Sequence, residues 1–501
     1  MVMFMRTKKA FLNLITDVIP LILVAIIGIF KLKIFIQVLG DETLGLYQLF
    51  SQIMIYVALV DGGLATAVLY SLYKPNTDGN KNLVSSILSA AHKTFSKIGI
   101  LVFSIAAVVA FIVPFFIKGN TFDYSYIVYT FILFSLSSVI NYFFVPYSAL
   151  LEVREKKYVV NLVSSISQIV KGLLEIGLVL AGFSFPVLLV MYSAVALVSS
   201  LFTMILCKKC CPGYSFNSKK LDYSYKKHLG PLIFHKINGL VSVNIDIIII
   251  SKFLGLKFAA IYSVYNYIVN MLKQILGKIT TSIMAILGNF MAEKKDNLKK
   301  IYLEFNSMLF FLGTVICVPL FFAINGFIDI WYEGEVQTTW LLAFAFSSYL
   351  YFFLIKSCSA TFVQSAGLFK ETQYCALTDT IVNLVLSLVL IHFIGISGVV
   401  IATSISIFIA EYILKTIVLY KNVFHESSIS YFTGNIKFFI LTFVDIFIGY
   451  CLFNFIDVNT LGMWFLVYGS YAIINAAIIL GIYFMMKEAV FVDRLKIMLK
   501  R

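Results

Sequence analysis

Leu39-Gly40-Asp41-Glu42-Thr43-Leu44-Gly45-Leu46-Tyr47-Gln48-Leu49-Phe50 sits between two long apolar runs. A related segment, Leu254-Gly255-Leu256-Lys257-Phe258-Ala259-Ala260-Ile261-Tyr262-Ser263-Val264-Tyr265, sits between two more. The shared pattern is Leu-Gly, a gap of three, two small or apolar residues, one apolar residue, a tyrosine, and an aromatic three further on. The same offset pairs Asn82-Leu83 with Asn297-Leu298. Arg154-Glu155-Lys156-Lys157-Tyr158 is answered by Lys370-Glu371-Thr372-Gln373-Tyr374. The chain therefore reads as two copies of one unit.

What each copy is made of follows from composition. Of 501 residues, 60% are hydrophobic and only 13% are charged, against roughly a quarter charged in a soluble domain. The apolar residues come in runs of about 20, the length a helix needs to cross a bilayer. Backbone polar groups in lipid must bond within their own segment, so such runs read as helices. The alternation of an outer-membrane barrel is missing. The expected spans are 11–37, 44–71, 98–117, 124–150, 158–181, 185–206, 229–253, 258–290, 301–324, 338–366, 373–394, 398–420, 434–456 and 460–486. The fold class is thus an all-α integral membrane protein of about 14 transmembrane helices, with two pseudo-symmetric six-helix lobes and a C-terminal pair. The expected organisation is an N-terminal lobe over 1–206, a basic linker over 207–227, a second lobe over 228–421, and the last two helices with a basic tail over 422–501. The segment Lys81 to Lys97 reads either as a surface helix facing anionic headgroups or as a solvated helix extension.

The net charge of +14 is a topology signal rather than a nucleic-acid signal. With the N-terminus in the cytoplasm, about 28 of the 39 basic residues fall in inner segments, as the positive-inside rule requires. About three, Lys118, Lys252 and Lys257, fall outside. Both termini are then cytoplasmic, in a multi-pass cell (inner) membrane protein. The first run, Phe11 to Phe30, reads as a span and not as a cleaved leader. The seven cysteines read as reduced thiols, with no metal site.

An even number of spans per copy gives parallel repeats related by an axis along the membrane normal. Transporters built this way place their site at the repeat interface. Ionisable residues within spans are costly and mark cavities or pairs. Span 1 carries Asn13, Asp17 and Lys31 near one face, and span 2 carries Gln52 and Asp61. Span 7 aligns His235, Gly239, Ser242 and Asp246. Span 8 aligns Asn266, Asn270, Lys273, Gly277 and Thr281. These stripes are expected to line one polar cavity. Its substrate-binding candidates are Lys31, Gln52, His235, Lys236, Asn266, Asn270, Lys273 and Lys278. The ion-coupling candidates are Asp61, Asp246, Asp379 and Glu175. Competing readings stand beside these. Lys31, Lys33, Lys236 and Lys278 can snorkel to an interface. Asp61 can brace the Gly62-Gly63 bend. Lys171/Glu175 and Glu411/Lys415 can pair within one helix. Asp379, Asn383 and Ser387 can glue helices together. No cofactor is expected beyond a coupling H⁺ or Na⁺, and no P-loop is present.

Leu39-Gly40 through Gly45-Leu46-Tyr47, Asp61-Gly62-Gly63-Leu64 and Tyr70-Ser71-Leu72-Tyr73-Lys74-Pro75 resemble the N-terminal pattern of Wzx-type flippases. These are the O-antigen and capsule repeat-unit transporters of the multidrug/oligosaccharidyl-lipid/polysaccharide exporter superfamily. Ile328-Asp329-Ile330-Trp331 is similar to the segment those proteins carry after span 9. The resemblance implies a flippase, not an enzyme, that moves undecaprenyl-pyrophosphate-linked oligosaccharide outward through a cationic lumen. The partners it implies are that lipid-linked oligosaccharide, membrane lipids, and the polysaccharide polymerase and chain-length machinery. The lumenal arginine set of the lipid II branch is missing from the spans of this sequence. The alternatives are a multidrug/cation antiporter of the same superfamily, which calls for an acidic cavity, and a membrane-embedded glycan polymerase, which calls for catalytic groups in a sizeable outer loop.

Overall fold

The computed structural model describes the backbone of residues 2–119, 121–228, 245–293, 298–453, 456, 458–490 and 492. Side chains are described for 20–119, 121–227, 245–278, 298–453, 456, 458–490 and 492. Every regular element among them is helical. The chain divides into two compact units, Met1–Ala260 and Ile261–Arg501, and the basic linker 207–227 lies inside the first.

The first unit opens with α1 (Val2–Leu39) and α2 (Asp41–Val57). Gly40 separates them at φ +87°, a left-handed backbone that suits glycine. Asp41 and Glu42 fill the first turn of α2, where acidic groups complement the helix dipole. The expected second span does not run straight. It passes through a 3₁₀ turn, Ala58–Asp61, and breaks at Gly62 and Gly63, both at positive φ, before α3 (Leu64–Thr77). Then come α4 (Lys81–Ala110), α5 (Tyr124–Ile140), α6 (Val145–Val153), α7 (Lys157–Leu180), α8 (Phe185–Cys210) and the short α9 (Asp246–Phe253). α1 packs along α7 and α5 along α8, and α7 lies against α8. The two copies of the repeated turn meet in this unit. A Cβ on Gly45 would lie 2.0 Å from the Leu256 carbonyl oxygen, so only glycine permits that approach.

α4 departs from expectation. It begins at Lys81, capped by the Asn80 side chain, which accepts from the Leu83 N–H at 3.0 Å, and runs unbroken to Ala110. The half from Lys81 to Lys97 does not lie as a free surface helix. Val84, Ile87, Leu88, Ala91 and Phe95 are buried, and the linker is laced onto it. Ser215 and Ser218 donate their N–H groups to Ser85 and Ser89 at 3.1 and 2.8 Å, and the Tyr225 and Thr94 hydroxyls bond at 2.7 Å. The helix also stops earlier than the span 98–117, in a turn leading to a 3₁₀ segment, Val113–Phe116, with Pro114 at its start.

The second unit contains most of α10 (Leu256–Glu293), followed by α11 (Leu298–Trp331), α12 (Trp340–Ser365) and α13 (Gln373–Ser406). A π-helical stretch, Ile407–Leu414, then leads through α14 (Lys415–Leu419) and a second π turn, Tyr420–Phe424. α15 (Ile429–Phe453) and α16 (Leu461–Met485) close the unit. The continuous helical run Gln373–Phe424 has 52 residues, about 78 Å at 1.5 Å per residue, far more than one crossing of ~30 Å. It folds back at Ile394 (φ −131°, ψ 18°) and Gly395 (φ 59°, ψ −136°), which gives the two spans expected there. Gly398 seats the fold, because a Cβ would stand 2.4 Å from the Leu390 carbonyl oxygen. α11 packs on α12, α15 and α16. The contacts include Trp464 Nε1 donating to the Ala323 carbonyl at 2.8 Å, and Gly449 under the Phe322 ring.

The described residues hold eleven helices long and apolar enough to cross a membrane. The Gln373–Phe424 run counts once there but supplies two crossings, α10 adds a further helix of 38 residues, and most of the remaining expected span, 229–253, lies outside the described residues. Large apolar side chains such as Leu173, Phe443, Phe447 and Ile473 stand exposed on helix faces, which suits contact with lipid.

Candidate functional site

The first unit concentrates charge between α1 and α7. A Cβ on Gly172 of α7 would stand 2.6 Å from Ile27 of α1, so glycine lets the two helices close up. One turn further along each helix, Lys31 Nζ reaches Glu175 Oε1 at 3.3 Å. The Glu175 side chain is 1% exposed and that of Lys31 is 21% exposed. The buried Glu175 carboxylate is faced by the Lys31 ammonium and by the Tyr192 hydroxyl. Lys31 also stands 5.4 Å over the Tyr47 ring. Lys171, one turn before Glu175, does not pair with it along the helix. Its Nζ lies 3.9 Å over the Tyr192 ring of α8, a cation–π contact. Tyr47 packs edge-on against Tyr192 at 5.9 Å and Phe134 at 5.7 Å, so the two lysines are joined through aromatic faces.

These aromatics form one wall of a cavity of about 470 Å³ within the unit. Each helix contributes a stripe at helical spacing. α7 presents Ser164, Ser167, Gln168 and Lys171, and α8 presents Tyr192, Ser199, Ser200 and Thr203. The end of α5 and the 3₁₀ turn after it present Ser137, Ser138 and Asn141. Among the described residues Lys171 is the one charged side chain in the lining, and no described carboxylate lines it. Ser200 Oγ donates to Asn141 Oδ1 at 3.2 Å, and Gln168 Nε2 to Ser164 Oγ at 3.2 Å. Ser137, Ser199 and Thr203 donate to carbonyls of their own helices, so they turn acceptor lone pairs to the cavity. The lining runs from Val160 to Lys171 of α7 and from Tyr192 to Thr203 of α8, and Lys156, Lys157, Lys208 and Lys209 lie at one end of this helix pair. At that end Lys156 Nζ donates to the Cys210 carbonyl at 2.7 Å.

The other sequence-predicted residues lie elsewhere. Asp61 braces the glycine bend, accepting from the Gly63 N–H at 2.9 Å and from the Tyr142 hydroxyl at 3.4 Å. Asp246 is buried at the start of α9, within electrostatic reach of the Tyr56 phenol. Gln52 Oε1 is buried with no hydrogen bond among the described residues. His235 and Lys236 lie outside the described residues. So do Gly239 and Ser242 and the side chains of Asn13, Asp17 and Thr281.

In the second unit Asn266, Asn270 and Lys273 follow one face of α10. Lys273 donates to the Tyr349 hydroxyl at 2.5 Å and lies over the Tyr349 and Phe353 rings of α12 at 4.4 and 4.7 Å. Lys278 is exposed. Glu411 does pair with Lys415 four residues on, at 2.5 Å, and Lys356 joins from α12 at 3.7 Å. Asp379 lies within electrostatic reach of this trio. Asn383 donates to Thr403 across the fold-back at 2.8 Å, as helix glue does.

Three features escaped the sequence reading. The hydroxyl stripe of α7 was legible as Ser164-Ser167-Gln168-Lys171 at steps of three, one and three. The π-helical setting of Glu411, a geometry frequent at functional sites, had no signal. Asp445 of α15, buried and bonded by Asn475 of α16 at 3.0 Å, was an intra-span carboxylate that was passed over.

By sequence, the chain matches no family model and no curated protein. By fold, it is similar to the lipid II flippase MurJ in an inward closed conformation. The TM-score is 0.71 at 17% identity, over 94% of this chain and 99% of that one. It is also similar to a multidrug resistance MATE family transporter of the MOP superfamily. In the inward-facing conformation the TM-score is 0.62 at 13% identity, over 78% of this chain and 92% of that one. In the outward-facing conformation it is 0.54 at 13% identity, over 80% and 93%. The chain shares with these proteins an all-helical membrane fold over nearly their whole length.

Proposed function

We propose that this protein is a flippase that moves undecaprenyl-pyrophosphate-linked oligosaccharide repeat units from the cytoplasmic to the outer leaflet of the cell membrane. It works by alternating access and serves surface polysaccharide assembly. The observation that carries the reading is the cavity of the first unit, lined among the described residues by hydroxyls, amides, aromatic faces and the Lys171 ammonium, with no described carboxylate in the lining. Sugars are bound by hydroxyls and amides at their edges and by aromatic rings at their apolar faces, and a lysine suits an anionic group as a point charge. A cation exporter would need the opposite charge there. A fold shared with a protein described as a lipid II flippase supports a lipid-linked cargo.

Glu175 is the acid best placed to couple ion movement to this cavity. Neutralising it would release Lys31, which stands over Tyr47 in the cavity wall. Asp61, Asp246 and Asp379 are the further candidates, and Lys273 is the cationic candidate of the second unit. The test is mass spectrometry of polyprenyl lipids from cells depleted of the protein and from cells rescued with it. One polyprenyl-pyrophosphate oligosaccharide should accumulate and clear on rescue. An unchanged profile under confirmed depletion would overturn the reading and point to cation efflux.

A further inference from the structure

The lining of the first-unit cavity is not uniformly open. Asn141, Ser164 and Gln168 are exposed, and the other described lining residues are half-buried or buried. All three exposed residues are polar, so the mouth suits water and polar groups rather than hydrocarbon. The volume of about 470 Å³ is the share of roughly 15 liquid waters, which holds a sugar unit rather than a single ion. Lys171 is half-buried in the same lining. Its Nζ rests 3.9 Å over the Tyr192 ring, and no described carboxylate pairs with it. Glu175, one turn away on α7, is engaged by Lys31 at 3.3 Å. An ammonium within a span is costly without a counter-charge, and a cation–π contact offsets only part of that cost.

We propose that this cavity binds an acidic sugar unit of the cargo's head group, with the sugar carboxylate on Lys171 and the pyrophosphate outside the cavity. The proposal rests on the flippase reading and adds the class of sugar that is recognised. Charge selects the carboxylate. One ammonium balances one negative charge. A pyrophosphate diester carries more than one, and the described lining offers no second cation, so part of its charge would stay uncompensated away from bulk water. The hydroxyls select a sugar. Ser137, Ser199 and Thr203 have already given their protons to helix carbonyls and offer acceptors. A phosphate, itself only an acceptor, gains little from them, whereas sugar hydroxyls donate to them. The position of Lys171 completes the match. Ser167 and Gln168 precede it by one turn on the same helix, and Tyr192 faces it from α8, so a carboxylate held there leaves the rest of a sugar ring beside hydroxyls, an amide and an aromatic face.

The test uses the full chain in lipid nanodiscs carrying Ser164→Cys at the mouth. N-ethylmaleimide labelling at that position is followed by peptide mass spectrometry. The probes are the methyl glycosides of D-glucuronate and D-galacturonate, their neutral parent glycosides, and inorganic pyrophosphate, all at equal concentration. The better acidic glycoside should slow the labelling several-fold, its neutral parent less, and pyrophosphate least. Lys171→Gln should remove the advantage of the acidic glycoside over the neutral one. Ser199→Cys on α8 gives the same reading should the first variant fold poorly. Protection by pyrophosphate equal to that by the acidic glycosides would overturn the sugar assignment in favour of a phosphate site. Equal protection by acidic and neutral glycosides would overturn the role of Lys171, and no protection by any probe at either position would overturn the site. The lipid profile of depleted cells separates this proposal from the reading beneath it. An accumulated polyprenyl-pyrophosphate oligosaccharide with only neutral sugars would overturn the acidic-sugar assignment and leave the flippase reading standing.

Discussion

The Lys31–Glu175 contact between α1 and α7 can be tested as a thermodynamic cycle. At 3.3 Å and an effective dielectric constant near 20, the Coulomb attraction is about 5 kcal/mol, before desolvation is subtracted. Breaking a buried pair by removing one partner costs about 3–5 kcal/mol, because the survivor is left uncompensated. The two single substitutions are not equivalent. Lys31→Met strands a carboxylate that is 1% exposed and left with only the Tyr192 hydroxyl facing it, so it should cost near the top of that range. Glu175→Gln leaves a lysine that is 21% exposed and still faces Tyr47, so about 1–2 kcal/mol is expected, allowing for the cation–π contact. The double variant Lys31→Met/Glu175→Leu removes both charges and should recover most of the loss. Unfolding free energies by steric trapping in bicelles would measure all three. If the single effects simply add, within about 0.5 kcal/mol, the pair carries no coupling and the account of this site is wrong.

Asp61→Ala should destabilise the bend by about 1 kcal/mol by removing the acceptor for the Gly63 N–H. Asp61→Asn keeps a carbonyl oxygen there and should hold the stability. Transport lost in the asparagine variant at unchanged melting temperature would show that the charge, not the brace, is what Asp61 supplies. Gly395→Ala places a side chain at φ 59°, ψ −136° and should lower stability by about 1–3 kcal/mol, read as a fall in melting temperature. An unchanged melting point would contradict the fold-back. Cys211 lies just beyond α8, and burial pushes its thiol above the usual range. It should alkylate slowly at neutral pH and faster only as pH rises well past that range, as followed by peptide mapping. Fast labelling at pH 7 would contradict its burial. Lys273→Gln should impair transport while leaving the protein folded. Full transport would remove Lys273 from the mechanism.

The spans were legible because lipid imposes its demand on every residue of a segment. Long apolar runs and the asymmetric distribution of lysine suffice to place α5, α7, α8, α12, α15 and α16, and even the fold-back at Gly395. The repeated Leu-Gly turn was legible because both of its glycines, Gly40 and Gly255, sit at positive φ, 87° and 109°, where glycine is favoured. What the sequence hid were choices among partners. Lys171 and Glu175 sit four apart and could have bonded to each other. Instead Glu175 meets Lys31 of another helix and Lys171 lies on Tyr192, an outcome set by how closely α1 and α7 approach. The Lys81–Lys97 half of α4 looked amphipathic because it is, but its apolar face is covered by protein. The cavity serines carried little signal of their own, because serine in a span usually satisfies itself on its own backbone. That habit leaves acceptors free, and only the convergence of three stripes turns them into a site.

The most direct test of the central claim is a flipping assay in proteoliposomes containing the purified protein and a polyprenyl-pyrophosphate oligosaccharide. Its sidedness is read by membrane-impermeant periodate oxidation of the sugar. Protein-dependent transfer between leaflets, slowed by Lys171→Gln and by Lys31→Met, is the result predicted. Transfer no faster than in protein-free vesicles, with protein shown to be folded and inserted, would contradict the account.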